Sequence, residues 1–277
     1  TTCSYNVSVG ASSLLRNTTG ANNTAIGYQA LKENTTASYN TSVGYKAGAA
    51  NVTGNQNTYI GYNAGLSCTT SENTVVGYNA ANAITTGSSI TAIGRNSLYT
   101  ATTASSTISI GNSTLEECTT AQGNVCIGDG AGQKITTNGE NTYVGTFTAS
   151  YQTGSNNVAF GYFALQGQSG SSTASNNTAI GYEAGKLVTT GSSNTFIGWK
   201  TGDAVTTGFE NTFVGHNSGG SVTEGNYNTA VGRQSMPTLT TGSGNVVMGS
   251  DAMELATTAS NNVAIGTDAL KQTTTGT

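Results

Sequence analysis

Charge is scarce in this chain: 9 Lys+Arg and 13 Asp+Glu make up 8% of 277 residues, with a formal net charge of −4. An ordinary soluble domain carries about 25% charged residues, so hydroxyls and amides must keep this surface in water. Nine scattered cations leave no electrostatic footprint for a nucleic acid. Proline and histidine occur once each, as Pro237 and His216. No apolar run approaches the ~18 residues that read as a membrane span, and the residues from Thr1 do not have the pattern of a signal peptide. Hydrophobic residues reach only 35%, thin for a large α/β enzyme core or a helical bundle. What is abundant is small and polar: 38 Gly and 50 Thr.

These residues are periodic. The pattern Asn-Thr-x-Ile-Gly, with Val often in place of Thr or Ile, ends on Gly10, Gly27, Gly44, Gly61, Gly77, Gly94, Gly111, Gly128, Gly145, Gly161, Gly181, Gly198, Gly215, Gly232, Gly249 and Gly266. Of the fifteen spacings between these sixteen glycines, twelve are 17 residues, two are 16 and one is 20. A low-complexity disordered chain has no reason to hold one apolar site in register through sixteen copies. Repeats of this length point to a solenoid.

Within a unit the period is two, as a strand requires. The residue before each glycine is large and apolar, and a β-branched residue stands two positions earlier, so the two share one strand face. The residue between them, from Ala25 to Tyr59 and Phe196, lies on the other. The expected core ladder is the first of these columns: Val9, Ile26, Val43, Ile60, Val76, Ile93, Ile110, Ile127, Val144, Phe160, Ile180, Ile197, Val214, Val231, Met248 and Ile265. A second short strand is expected through the Thr-Thr pairs, whose preceding residue is often apolar (Ile84, Ile135, Val188, Val205, Val222, Leu239).

Seventeen residues cannot bury their own apolar side, but stacked coils can, each strand bonding its equivalents about 4.8 Å away. The expected fold is therefore all-β, a parallel β-solenoid of about sixteen coils forming a single repeat domain over 1–277, uncapped at both ends. Asn6, Asn23, Asn40, Asn57, Asn73, Asn124, Asn141 and then Asn157 through Asn262 should form an amide ladder of the cross-β kind, broken at Ile90 and Thr107. The insertion near 167–172 and the two shortened units fall between the Gly-Tyr-x-Ala segment and the next Asn, an arc expected to face solvent. The Asn-Thr-x-Ile-Gly strand never changes length, which is expected if it is buried against another copy of the chain.

Units such as Asn23-Thr24-Ala25-Ile26-Gly27-Tyr28-Gln29-Ala30-Leu31 and Asn177-Thr178-Ala179-Ile180-Gly181-Tyr182-Glu183-Ala184-Gly185, with Thr-Thr-Gly linkers, resemble the repeats of phage tail-fibre proteins. They are also similar to the head of trimeric autotransporter adhesins, whose coil is shorter. The resemblance covers the whole chain and implies a left-handed β-roll, three parallel chains, and a role in surface or host attachment. The expected role is a non-enzymatic fibre shaft, extracellular, on a cell surface or in a virion, with itself as partner, as a homotrimer or a head-to-tail polymer. The Thr-Thr slots at Thr1-Thr2 and Thr274-Thr275 put both ends nearly in phase, which suits head-to-tail stacking or a segment of a longer fibre. The alternative is a tail fibre that binds a receptor or cell-surface glycan.

Candidate sites are few. Tyr28, Tyr45, Tyr62, Tyr78, Tyr162, Tyr182 and Trp199 share the slot after the glycine and could form a carbohydrate-binding stripe, with plain packing as the competing reading. His216 occupies the same slot and reads as a rung rather than a catalytic base. Carboxylates such as Glu33, Glu72, Glu116, Asp129, Glu183 and Asp251 are not paired as a glycosidase requires. No metal, cofactor, nucleic-acid partner or membrane insertion is expected. Cys118 and Cys126 share a coil and are the candidate disulfide, whereas Cys68 and Cys118 lie three coils apart, beyond the ~7 Å reach of a bridge. The competing reading makes the cysteines small apolar fillers. An ice-binding solenoid needs an outward Thr-x-Thr array, and the adjacent Thr-Thr pairs point to opposite faces.

Overall fold

A computed structural model of the chain describes residues 4–120 and 122–276. Cys3, Thr1 and Thr2 lie outside the described residues. The secondary structure is sixteen three-residue strands, among the described residues, with no helix: β1 Val7–Val9, β2 Thr24–Ile26, β3 Thr41–Val43, β4 Thr58–Ile60, β5 Thr74–Val76, β6 Thr91–Ile93, β7 Ile108–Ile110, β8 Val125–Ile127, β9 Thr142–Val144, β10 Val158–Phe160, β11 Thr178–Ile180, β12 Thr195–Ile197, β13 Thr212–Val214, β14 Thr229–Val231, β15 Val246–Met248 and β16 Val263–Ile265. The chain divides into two compact units, 1–140 and 141–277. In the first, β1 to β8 pair successively and in parallel; in the second, β9 to β16 do the same. Register follows the repeat: Ile26 lies beside Val43, and Val43 beside Ile60. The architecture is a parallel β-solenoid.

The core is not where the period-two pattern placed it. The strand's middle residue points inward: Ala25, Tyr59, Val75, Ala92, Cys126, Tyr143, Ala159, Phe196, Phe213 and Val247 are all fully buried. The ladder from Val9 to Ile265 faces outward instead. Val9, Ile26, Ile60, Ile127, Phe160, Ile180, Ile197, Met248 and Ile265 are exposed, and Val43, Val76, Ile93, Ile110, Val144, Val214 and Val231 are half-buried. Alternation assigned the two faces correctly, but apolar character named the wrong one as interior. A coil this narrow has little room on its inner side, so small residues fill most of the inward slot and the uniform Ile/Val column is left outside.

A volume rule governs the interior. In many coils the inward strand residue and the residue six positions later are opposite in size: Ala25 with Leu31, Ala92 with Leu98, Ala159 with Leu165, Ala230 with Met236, but Tyr59 with Gly65, Phe196 with Gly202 and Phe213 with Gly219; Ser42 with Gly48 and Ala179 with Gly185 are both small, each in the coil before a large ring. A methyl added at Gly65 or at Gly48 would press directly on the Tyr59 ring. Gly185 and Gly202 stand in the same relation to Phe196. The Tyr59 and Phe196 rings thus occupy space vacated by glycines of their own coil and of the coil before it, as close packing demands.

Polar ladders complete each coil. Asn23 donates its backbone N–H to Asn6 Oδ1 (2.8 Å), Asn40 to Asn23 (3.0 Å) and Asn57 to Asn40 (2.9 Å). The side-chain amide of Asn40 reaches across its own coil to the Gly54 carbonyl (3.0 Å). The same pattern joins Asn177, Asn194, Asn211, Asn228 and Asn245. These asparagines are buried, and burial of so many amides is tolerable because their groups are paired. At the expected break, Ile90 still donates its N–H to Asn73 Oδ1 (3.2 Å) and offers nothing onward.

The Thr-Thr pairs form no strand among the described residues. The N–H groups of Thr18 and Thr19 and the Thr18 hydroxyl all converge on the Thr35 carbonyl (2.9, 3.1 and 3.0 Å). A strand cannot aim two successive N–H groups at one acceptor, so the backbone bends here. The apolar residues ahead of these pairs, Ile84, Ile135, Val188, Val205, Val222 and Leu239, are fully buried. Within the 167–172 insertion, residues 168–171 are exposed and Gly167 and Ser172 are buried. Beneath it, Gln152 Nε2 reaches the Val188 carbonyl (2.6 Å), 36 residues on, filling the space where the intervening coil bulges away.

Candidate functional site

Two surfaces carry what the sequence singled out. The first is the outward strand face. In the first unit its two columns run from Val7 and Val9 to Val125 and Ile127, in the second from Thr142 and Val144 to Val263 and Ile265, and no position in either column is charged. The turn that follows requires glycine: at Gly61 φ is +134°, and an added Cβ would lie 2.5 Å from the carbonyl oxygen of Gly77. That is a region of backbone space essentially reserved for glycine, so the strand face ends sharply at every coil.

The second surface is the aromatic slot just past that glycine. Tyr28, Tyr45, Tyr62 and Tyr78 stack in sequence, with ring centroids 5.3, 4.9 and 5.2 Å apart and planes within 17° of parallel. In the second unit Tyr162, Tyr182 and Trp199 stack at 5.7 and 6.2 Å, and His216 continues the row 4.5 Å from Trp199. The rings remain 40–50% exposed. Because their faces cover one another, what they offer solvent is edges and hydroxyls. The structure therefore brings the predicted residues together as two ladders, with Arg95, Asn112, Asp129 and Thr146 in the slot between Tyr78 and Tyr162.

Ion pairs decorate both ladders. In the first unit Glu33 accepts from Arg16 (2.7 Å) and Lys32 (3.2 Å). In the second, Glu183 is paired to Lys186 (2.8 Å) and Lys200 (3.4 Å). Burial pushes the Glu183 carboxyl upward, but the hydrogen bond and charge of Lys186, with Lys200, outweigh it and hold the group below its usual range. Nearby Asp203 is shifted upward, by burial against the opposing pull of Lys200. Arg233 pairs with Asp251 (2.7 Å). Lys46 and Arg95 are the two described cations with no carboxylate within 4.0 Å. Reading of the sequence missed them because pairing depends on which arc of the coil each charge occupies.

The cysteine expectation is corrected. Cys118 and Cys126 are both fully buried and stand as thiols, not as a disulfide. Burial, and then the neighbouring Cys118, push the Cys126 thiol far up, so the nucleophilic thiolate is suppressed. Cys68 is likewise a buried thiol, beside Asn73 Nδ2 at 3.4 Å. All three fill core slots that hold Ile, Val or Ala in other coils. No group of three or more His, Cys, Asp or Glu among the described residues is arranged to hold a metal ion. No helix among them is long and apolar enough to cross a membrane.

Fold and surfaces define the class: a repeat protein with a parallel β-solenoid architecture. No family model, no curated protein and no solved structure matches the chain.

Proposed function

We propose that this chain is a non-enzymatic, self-associating segment of an extracellular or virion-associated fibre, assembled as a homotrimer of parallel chains. The observation that carries the reading is the outward strand face, where an uncharged array, chiefly Thr, Val and Ile, is left exposed or half-buried in each coil. Apolar patches of that extent mark interaction surfaces. A second copy is the occupant of choice because its strands repeat at the same pitch, so copies can match coil for coil. A face without charge offers nothing to steer a partner of opposite sign. The resemblance to tail-fibre and adhesin repeats supports the same reading.

Light scattering at micromolar concentration tests it: the wild type should have three times the 27.9 kDa chain mass. Replacing Ile60 and Ile180, both 39% exposed, by Lys should shift the mass toward one chain while circular dichroism stays unchanged. A wild-type species of 27.9 kDa would refute the trimer. An ice-binding reading has one observation in its favour, since Thr24, Thr41, Thr58 and their equivalents do face outward. Their partner column is aliphatic, however, and Ile108, Val125, Val158 and Val246 interrupt the Thr column itself, which favours a protein partner. A monomer that shapes ice crystals would reverse that order.

A further inference from the structure

We propose that the ladder Tyr28–Tyr45–Tyr62–Tyr78, with Lys46 and Arg95, is a binding surface for a linear acidic polysaccharide lying along the coils. The inference goes beyond the self-association proposed above and concerns a different arc of the coil.

Charge is the first argument. Through Arg95 the chain has four cations, Arg16, Lys32, Lys46 and Arg95, and two carboxylates, Glu33 and Glu72, in a protein of net charge −4. Arg16 and Lys32 share Glu33, which leaves Lys46 unneutralised, its ammonium 5.3 Å from the Tyr45 ring centroid. Arg95 takes the aromatic slot directly after Tyr78, where Asn96 donates its N–H to the Tyr78 carbonyl (2.9 Å). The two cations without an ion pair therefore stand on one ladder. In the second ladder Lys186, Lys200 and Arg233 are all paired.

Ring geometry decides the ligand class. A neutral sugar binds aromatic side chains through an open ring face, and here the faces between Tyr28 and Tyr78 cover one another, leaving open only the outer faces of the two end rings. The ladder presents hydroxyls and edges, as at the exposed Tyr28 hydroxyl, which accepts from Gln29 Nε2 (3.1 Å). Hydroxyls, an ammonium and a guanidinium suit a chain rich in anionic acceptors. One rung about every 5 Å suits a polymer with a regular repeat rather than a single small molecule. A shallow groove of about 260 Å³ includes Lys46, the residue after Tyr45, and is lined also by Gln29, Lys32, Ala49 and Leu66 and by Glu33, whose charge Arg16 and Lys32 offset.

The test is titration of the whole chain with polygalacturonate and with heparin, which separate carboxylate from sulfate recognition, beside neutral cellohexaose and oligothymidylate. Saturable binding of either acidic polysaccharide is expected, weakening steeply as salt is raised. The paired changes K46E and R95E, at a half-buried and an exposed position, should weaken it about tenfold or more, with circular dichroism unchanged. Tyr62→Ala should weaken it as well, whereas Tyr182→Ala in the second ladder should not. The proposal is overturned if neither polysaccharide binds, if cellohexaose binds as well, if oligothymidylate binds as tightly, or if K46E/R95E leaves binding unaltered. None of these outcomes depends on the oligomeric mass, so this proposal and the trimer fail separately.

Discussion

The opposition of volumes inside each coil can be tested as a double-mutant cycle at Tyr59 and Gly65. Tyr59 is fully buried, and an added methyl at Gly65 meets only the Tyr59 ring. Removing the ring in Tyr59→Ala leaves a cavity flanked by Gly48 and Gly65, and should cost about 3–5 kcal/mol. Gly65→Leu alone faces two penalties. Its left-handed backbone, φ +57°, costs about 1–2 kcal/mol for a residue with a Cβ, and overpacking against the ring adds about 1–3 kcal/mol or more. Together the two changes recreate the pair that other coils use, small inside and Leu six residues on. Leu31, Leu98, Leu115 and Leu165 already hold this slot at φ between 47° and 56°. Burial of the new Leu returns about 1.5–3 kcal/mol, so the double variant should be more stable than Tyr59→Ala alone. The coupling energy should reach about 3 kcal/mol, at the upper end for contacting residues. Urea unfolding followed by circular dichroism provides the midpoints. If the two single losses simply add, the complementarity carries no energy and the account of the core is wrong.

Two further outcomes follow from the polar interior. Asn40→Ala removes the acceptor of the Asn57 N–H and the donor to Gly54 and Asn23; leaving those buried groups unpaired should cost about 3 kcal/mol, seen as a lower urea midpoint, and a loss under about 1 kcal/mol would mean that the ladder does not hold the coils. Alkaline pH should destabilise the fold through groups whose ionisation is suppressed by burial. Cys126 is raised from an ordinary value of 9.0 and Tyr59 from 10.0, the latter by burial and then by Cys68. Above those values the unfolded chain releases protons that the folded chain keeps, so stability is complete below about pH 9 and falls as pH rises. Cys126→Ala should remove the part of the fall that begins near 9.0 and Tyr59→Phe the part that begins near 10.0; a stability unchanged up to pH 11 would contradict both.

Much of this protein is local, and local features can be read from residues alone. The recurrence of Gly27, Gly44 and Gly61 determined the repeat, because those corners accept only glycine. Alternation around Ile26 determined the strand, which residues share a face, and the register, and the Asn23–Asn40–Asn57 spacing determined the amide ladder. The aromatic slot was legible in the same way. Even the true core left a signal in the pairs Ala25/Leu31 and Tyr59/Gly65, which becomes visible only when sizes six residues apart are compared.

What the tertiary structure decided is direction. Which face of a three-residue strand turns inward depends on how tightly the coil closes, and that closure is made by left-handed residues such as Gln29 and Leu31, with φ of 57° and 47°. Neither residue type favours that conformation. They are held in it by bonds to the coils on either side, Gln29 to the Ala11 carbonyl and Leu31 to the Ala47 carbonyl. Those bonds exist only once neighbouring coils have stacked. The same stacking set the aromatic faces against each other, turned the Thr-Thr pairs into bends, kept Cys118 and Cys126 as separate thiols, and left Lys46 and Arg95 without a carboxylate. Each of these depends on what lies one coil above or below, which spacing along the chain records only as a period.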